Sequence, residues 1–516
     1  MNINYGKQFI DQKDINEVTK CLKSNFLTQG PLVKKFEDKV AKYVGSKYAV
    51  AVSNGTAGLH ISLMATGFKK DDKLLTSVIS FVSSANVSQF LNGKVDFIDI
   101  DLDSISMNVD DLKKKIDSTV KAIMPVHMAG AAYNEKKIYE IARRKKIFLI
   151  EDCAHGLGGS YQDGAKIGSC KYSDMSVFSF HPVKSITTGE GGIVTTNSEK
   201  LYKKLLRLRS HGINKNDDKF LNNADAYTKN KINNWYYEMR ELGYNYRLTD
   251  FQSALGISQL KKINTFIKQR RIISKKYDNE FSKIFGVKLP QYSKRKLTAS
   301  HLYILRIDFL KYSTTRQELF EYLKKNKIIC QVHYIPIVMH PYYIEKGFDL
   351  KNYPNAKRYY EECLSIPCHF SLKSSEQKKV IDLIKKFLFK IKKINVLLFG
   401  GSGFLGSNFL KYKPSKYNIF SYVNEKNINS KFSKNTRFKL NANKLTNFIK
   451  KENIGIIINA AGYVSLEKCE HNKKSAIKSN TKIVEIILKS IENTDIKFVY
   501  ISTDHIFDKK KGKIKE

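Results

Sequence analysis

No two cysteines in this sequence stand as Cys-x-x-Cys. The seven present, an odd number, are scattered at Cys21, Cys153, Cys170, Cys330, Cys363, Cys368 and Cys469, which argues against a disulfide framework or a zinc site and for a reducing compartment. No stretch reaches the roughly 18 to 20 apolar residues of a membrane span. The opening Met1-Asn-Ile-Asn-Tyr-Gly6 lacks the apolar core of a secretory leader. A cytoplasmic protein with no membrane partner is therefore expected. Acidic residues are scarce: 49 Asp and Glu face 90 Lys and Arg, a formal net charge of +41. Such an excess ordinarily points to nucleic acid. Here the lysines come in ones and twos among Asn and Ile, and the densest runs, Lys385-Lys386 to Lys392-Lys393 and Lys509-Lys510-Lys511, fall at a linker and at the last residues. The excess is compositional, and no nucleic-acid partner is expected. It still suits a small anionic substrate.

What is present is enough apolar material for sizeable cores, 42% hydrophobic residues in a chain of 516, which predicts two or three domains. Short apolar strands alternate with helix-length segments over the first half: Tyr48–Val52, Lys73–Ser77, Val95–Asp99, Ala122–Val126, Phe148–Glu151, Ser176–Ser179 and Gly192–Thr196. Strands buried on both faces and separated by helices describe a mostly parallel α/β sheet, whose active site lies beyond the carboxyl ends of its strands. Residues 1–250 are read as this large domain. Residues 251–390 read as a smaller α+β domain, with one long helix from Asp250 to about Phe285, a strand at His301–Ile307, a helix from Thr315 to Asn326 and a second strand near Ile329. The polar segment from Asn214 to Glu241, which holds the only tryptophan, Trp235, reads as an insertion or flap.

The chemistry centres on Lys184, in the small-residue run Phe178-Ser-Phe-His-Pro-Val-Lys184-Ser-Ile-Thr-Thr-Gly-Glu-Gly-Gly192, and on Asp152, which ends an apolar strand upstream. A lysine on such a turn with an aspartate at a strand end is what pyridoxal phosphate chemistry requires: the amine condenses with the cofactor aldehyde, and the carboxylate keeps the pyridine nitrogen protonated. Ser53-Asn-Gly55-Thr56-Ala57 follows a strand and opens an apolar helix, so its amides suit a phosphate, although an ordinary helix cap would look the same. Phe81 is placed either to stack on the pyridine ring or in plain core. His155, one turn beyond Asp152, is read either as a hydrogen-bond partner of the cofactor or as a helix-start histidine, and Ser179 as a phosphate ligand by its proximity to Lys184.

Several independent motifs over residues 1 to about 390 make the chain resemble the DegT/DnrJ/EryC1/StrS family of sugar aminotransferases. They are Leu27-Thr28-Gln29-Gly30, Ser53-Asn-Gly-Thr56, Glu151-Asp152, Phe178-Ser-Phe-His with Lys184, Arg209-Ser-His211-Gly212, Gly243-Tyr-Asn245-Tyr-Arg247-Leu-Thr-Asp250 and His333-Tyr334-Ile-Pro336. Within the family, Phe26-Leu-Thr-Gln-Gly30, Thr187-Thr-Gly-Glu-Gly-Gly192, Ser253-Ala-Leu-Gly-Ile-Ser-Gln-Leu-Lys261, Gln331-Val-His333-Tyr334 and Ser365-Ile-Pro-Cys368-His369 are similar to the branch acting on UDP-linked 4-keto-6-deoxy-N-acetyl-altrosamine in nonulosonic acid biosynthesis. The resemblance implies a fold type I aminotransferase and a homodimer with composite sites. Lys184 would carry pyridoxal 5′-phosphate, and Gly55, Thr56 and Ser179 would line the phosphate and substrate region. Asn245 would reach the neighbouring subunit's site. Tyr5, Asn25, Phe26, Leu27, Thr28, Gln331, Val332, His333 and Tyr334 would contact a nucleotide-sugar, and L-glutamate would supply the amino group. Related sugar dehydratases carry histidine at the lysine position, so Lys184 favours transamination. The chain departs from the family pattern in Gly189-Glu190 and in its polar 214–241 insertion.

A further strand, Asn395-Val-Leu-Leu-Phe399, runs into Gly400-Gly-Ser-Gly403-Phe-Leu-Gly406 and a helix, the opening of a dinucleotide-binding unit. With strands ending in Ile458-Asn-Ala-Ala-Gly462 and Tyr500-Ile-Ser-Thr503-Asp504, residues 394–516 resemble a partial Rossmann domain, the amino-terminal half of extended short-chain dehydrogenases of the dTDP-4-dehydrorhamnose reductase type. That resemblance implies NAD(P) at Gly400, Gly403 and Gly406 and makes Thr503 a hydroxyl candidate. No Tyr-x-x-x-Lys follows, so the domain is expected to bind NAD(P) at most and not to be a competent reductase.

Overall fold

A computed structural model describes residues 2–215, 220–229, 231–312, 314–389, 394–412, 417–423, 433–462 and 470–501. The chain divides into two compact units, Met1–Phe387 and Leu388–Glu516.

The first unit is built on a seven-stranded sheet of β1 (Tyr48–Val52), β2 (Lys73–Ser77), β3 (Lys94–Ile98), β4 (Val120–Met124), β5 (Phe148–Asp152), β6 (Met175–Ser179) and β7 (Gly192–Thr196), in the order β1-β7-β6-β5-β4-β2-β3. Only β7 runs antiparallel to its neighbours, pairing Tyr48 with Thr196 on one side and Met175 with Thr196 on the other. The remaining pairs are parallel. Nearly every residue in these strands is buried, which is why they read as short continuous apolar runs. The topology places the carboxyl ends of β1, β2, β4, β5 and β6 along one edge, together with the start of β7.

Helices close both faces. α1 (Gln12–Leu22) begins with a reciprocal capping box between Asp11 and Asp14. α2 (Pro31–Val44) starts on Pro31 and stops at Gly45, whose φ of 84° ends the helix without strain. α3 (Gly55–Ala65) is capped by the Asn54 side chain, which accepts from the Ala57 amide at 2.8 Å.

The long helix expected from Asp250 to about Phe285 is two, Asp250–Leu260 and Ile263–Phe281. At the break Lys262 turns its ammonium onto Asp14 (2.6 Å) and Asp11 (2.9 Å), tying the second half of the unit to α1. Asp250 accepts from the amides of Gly30 and Leu32 at 2.7 and 3.0 Å, a second tie across the unit. The strand expected at His301–Ile307 runs from Tyr303 to Ile307 and sits between Val287–Lys288 and Cys363–Ile366 in a small antiparallel sheet. The strand expected near Ile329 is reduced to isolated bridges, Ile328 with Ile3 and Gln331 with Ser365, the latter on the outer side of Cys363–Ile366, which itself occupies the place beside Tyr303–Ile307.

In the 214–241 segment, two-residue ladders join Ile213–Asn214 to Glu238–Met239 and Tyr227–Thr228 to Lys231–Ile232 around a small core of Phe220, Ala226 and Tyr236, with Trp235 exposed.

The second unit is a five-stranded, wholly parallel sheet in the order Ser433–Thr436, Tyr417–Tyr422, Ile394–Phe399, Ile454–Asn459, Lys497–Tyr500. Numbered along the chain this is 3-2-1-4-5, the doubly wound arrangement. Its core gathers Leu397, Phe399, Phe420, Leu445, Ile449, Ile457 and Ile487. Thr503 lies outside the described residues. Among the described residues of both units, no helix is long and apolar enough to cross a membrane.

Candidate active site

The carboxyl edge of the large sheet opens into a cavity of about 900 Å³. Much of its wall comes from strand ends. β1 delivers Asn54, Gly55 and Thr56; β2 delivers Ser80 and Phe81; β5 delivers Asp152 and, just beyond, His155; β6 delivers Ser179, and the loop into β7 delivers Lys184. Tyr5, Gln331, Val332, His333 and Tyr334 complete the lining from elsewhere in the unit.

Lys184 follows a short turn in which its amide donates to the His181 carbonyl at 2.9 Å. Its side chain is half-buried, open along one flank to the cavity while the ammonium lies deep among protein atoms. Burial pulls that ammonium down to about 8, against the opposing pull of the Asp152 charge. Asp152 is held on both oxygens: Ser84 donates its hydroxyl to Oδ2 at 2.6 Å and the Ala154 amide donates to Oδ1 at 3.0 Å. Ser84 is in turn 2.7 Å from the Ser80 hydroxyl.

At the start of α3 the amides of Gly55 and Thr56 have no intrahelical acceptor and carry the positive end of the helix dipole. Two close approaches shape this corner. A side chain at Gly192 would stand 2.6 Å from the Asn54 carbonyl, so only glycine lets β7 begin there; a Cβ on Gly55 would come within 3.1 Å of Ser179 Cβ, which brings the Ser179 hydroxyl beside the helix start. The result is an anion cradle.

Phe81 is 56% exposed and faces the Tyr334 ring at 6.0 Å, so it is not core. His155 Nε2 lies 3.2 Å from the Tyr334 hydroxyl, and its ring stacks on His301 at 4.5 Å. Burial, with the Lys184 charge adding to it, holds His155 well below the usual imidazole range and His333 at about 3. Both rings are neutral near neutral pH. His333 is fixed by the Ser365 hydroxyl at Nδ1 (2.9 Å) and by the Tyr359 hydroxyl donating to its carbonyl (2.6 Å).

Asn25, Phe26, Leu27, Thr28 and Asn245 are not brought into this cavity. All five are exposed. They are tied into one neighbourhood by the Thr28–Thr249 and Ser210–Asn245 bridges and by the Asp250 amide, which donates to the Leu27 carbonyl at 2.9 Å.

An amine, a carboxylate, an anion cradle and an exposed flat ring around one cavity fit a phosphorylated pyridine aldehyde. Sequence reasoning missed Ser84, His301 and Tyr246. Ser84 lies in the first turn of the short helix Ser83–Gln89 and Ser80 lies before it, so their contact has no helical spacing to announce it; His301 and Tyr246 are brought in by tertiary packing.

In the second unit, Gly400 has φ 77°, and a Cβ there would strike the Ala460 backbone at 2.5 Å. A Cβ on Gly406 would strike the Gly400 carbonyl at 2.2 Å, whereas one on Gly403 meets only that carbonyl, at 3.4 Å. The first and third glycines serve packing, and the second leaves space outside the turn, a fit for a dinucleotide pyrophosphate.

The profile of the DegT/DnrJ/EryC1/StrS aminotransferase family matches residues 8–385. The chain belongs to that family. The family's UDP-4-amino-4,6-dideoxy-N-acetyl-beta-L-altrosamine transaminase from Campylobacter jejuni strain 81-176 is 37% identical over 398 residues, covering 76% of this chain and 99% of that protein. The spore coat polysaccharide biosynthesis protein SpsC of Bacillus subtilis is 35% identical, covering 74% and 96%. Helicobacter pylori PseC, an aminotransferase involved in the biosynthesis of pseudoaminic acid, superposes with a TM-score of 0.68 at 29% identity, over 76% of this chain and all of its own. Residues 394–515 match a different profile, the RmlD substrate binding domain.

Proposed function

We propose that this chain moves the amino group of L-glutamate to the 4-keto carbon of a nucleotide-linked 4-keto-6-deoxy sugar, with pyridoxal 5′-phosphate as cofactor, as a cytoplasmic homodimer. The observation that carries this reading is the meeting of Lys184 and Asp152 in one cavity beside the Gly55–Thr56 cradle.

When bound, the cofactor supplies an electron sink that acidifies the bond between hydrogen and the amine-bearing carbon. The residues of the chain do the rest. Lys184 Nζ, poised at about 8, is neutral often enough near neutral pH to take that proton and return it one carbon away. Asp152, its oxygens set by Ser84 and Ala154, balances positive charge on the ring nitrogen. The Gly55 and Thr56 amides and the Ser179 hydroxyl hold the phosphate, Phe81 covers the ring face, and neutral His155 fixes the Tyr334 hydroxyl. Tyr5, Gln331, Val332, His333 and Tyr334 receive the nucleotide-sugar. Asn25 to Thr28 and Asn245, exposed on this chain, serve the cavity of the partner subunit. The Campylobacter and Helicobacter relatives support a UDP-linked 4-keto-6-deoxy-N-acetyl-altrosamine as substrate.

The test is incubation of the purified protein with L-glutamate and a panel of UDP-, dTDP- and GDP-linked 4-keto-6-deoxy sugars, with mass detection of the product. Amination of the UDP-linked N-acetyl sugar is expected, together with loss of both the lysine Schiff-base absorbance band and turnover in Lys184→Ala. A Lys184→Ala protein that turns over at the wild-type rate refutes the assignment. For the second unit, NAD(P) binding at Gly400, Gly403 and Gly406 is proposed.

A further inference from the structure

Behind the cavity wall, on the opposite face of β5 from Asp152, lies a charge cluster that the reaction above does not use. Successive residues of a strand point to opposite faces, so Glu151 turns away from the cavity into the protein, where it is 1% exposed. Its carboxylate is filled by buried donors: His127 Nε2 at 2.9 Å and the Tyr161 hydroxyl at 2.9 Å on Oε1, and Tyr161 at 2.7 Å, Ser173 at 2.9 Å and Ser176 at 2.6 Å on Oε2. Burial alone would push the Glu151 carboxyl up, but the His127 charge and the hydrogen bonds from His127, Ser176 and Tyr161 outweigh it and hold it low. Burial would likewise pull His127 down, and the charge and hydrogen bond of Glu151, with smaller help from Glu135 and Asp152, raise it instead. Each group thus favours the charged form of the other. Cys153 stands close enough to complete a ligand trio with them, but burial pushes its thiol well above the usual range, and the carboxylate is already engaged by protein donors.

A buried ion pair is a poor stabiliser compared with apolar side chains of the same size, so its cost invites a functional account. The geometry supplies one. The His127 amide donates to the Asp152 carbonyl at 3.0 Å, and the Asp152 amide donates to the Pro125 carbonyl at 2.9 Å. The main chain of the turn after β4 is therefore stapled to Asp152 itself, while the side chain of the same turn is anchored to Glu151 one residue earlier. Both staples clamp residues 125–127 against the end of β5.

We propose that the His127–Glu151 ion pair is a positioning device for Asp152, holding the strand end so that the Asp152 carboxylate meets the cofactor ring in one fixed orientation. The inference rests on Asp152 being the carboxylate that faces the ring nitrogen. Its test is the cofactor itself: the dissociation constant of pyridoxal 5′-phosphate and the pH midpoint of its bound visible absorbance, measured for His127→Gln, Tyr161→Phe and Asp152→Asn beside the wild type, with a thermal melt of each cofactor-free protein. His127→Gln is expected to weaken cofactor binding roughly tenfold, the size of coupling within one buried network, and to move the absorbance midpoint in the same direction as Asp152→Asn. Tyr161→Phe, which keeps the ring and removes one donor to Glu151, is expected to show a smaller change of the same sign, and it decides the matter if His127→Gln does not fold. A His127→Gln or Tyr161→Phe protein that melts earlier but keeps the wild-type affinity and midpoint has lost only stability, and overturns the proposal. If Asp152→Asn also leaves both cofactor readouts unchanged, it is the assignment of Asp152 that has failed.

Discussion

Replacing Lys184 by methionine should make the cofactor-free protein more stable while destroying its activity, and the gain should depend on pH in a stated way. In the folded chain the Lys184 ammonium titrates at about 8, against 10.5 for an ordinary lysine. Below about 8 both folded and unfolded chains hold the proton, and the folded state bears the full cost of a charge partly removed from water. Between 8 and 10.5 the folded chain has released a proton that the unfolded chain still binds, so the stability of the wild type climbs with pH across that window. A gap of about 2.5 between the two values corresponds to about 3 kcal/mol at most. Because the side chain is partly open to the cavity, a gain of about 1 to 3 kcal/mol for Lys184→Met near neutral pH is the expected range. Urea unfolding of the two cofactor-free proteins, followed by circular dichroism, measures it directly. The variant should unfold at higher urea near pH 7, and the two curves should converge as the pH approaches 10.5. A variant less stable than the wild type near pH 7, or a difference that does not change with pH, would show that the amine is not held in a desolvated, proton-shedding state and would remove the reason given for its reactivity.

Ser84→Ala takes away the 2.6 Å bond to Asp152; losing such a bond in a buried site costs about 1 to 3 kcal/mol, and cofactor affinity measured by absorbance titration should fall accordingly, whereas a wild-type value would count against the role of Ser84. Gly192→Ala would force a Cβ to within 2.6 Å of the Asn54 carbonyl; the Gly55–Thr56 corner should shift and the protein bind pyridoxal phosphate and inorganic phosphate more weakly, which equilibrium dialysis checks. Gly400→Ala combines a φ of 77° with a 2.5 Å approach to Ala460, so NADPH binding followed by fluorescence should be lost without change in transaminase turnover; a wild-type chain that shows no NADPH binding would end the dinucleotide reading of that unit.

The strands of the large sheet were legible to within two residues because each is buried on both faces and so is apolar end to end. The consequence for Lys184 and Asp152 was legible too, since a parallel sheet gathers strand ends on one edge. Other features left no local trace. The break at Lys261–Lys262 carries neither Gly nor Pro, and the lysine there bonds acids far away in sequence, Asp11 and Asp14. The partner of Tyr303–Ile307 is chosen by packing among residues some sixty positions apart, which periodicity around Ile329 cannot report. His301 reaches the cavity wall by stacking on His155, an encounter with no spacing signature. Asn25 to Thr28 and Asn245 were singled out by family motif alone, and a single chain leaves them on its surface.

The pairing of β1 with β7 has a bearing on biosynthesis. Tyr48 finds its ladder partner only at Thr196, and α1 finds the lysine that neutralises Asp14 only at Lys262. With ribosomes adding roughly 5 to 20 residues each second, the first strand waits many seconds as an unpaired apolar edge before the segment that covers it emerges. The nascent chain should therefore be a chaperone client, and should resist protease only after its helical segment past residue 262 has left the exit tunnel.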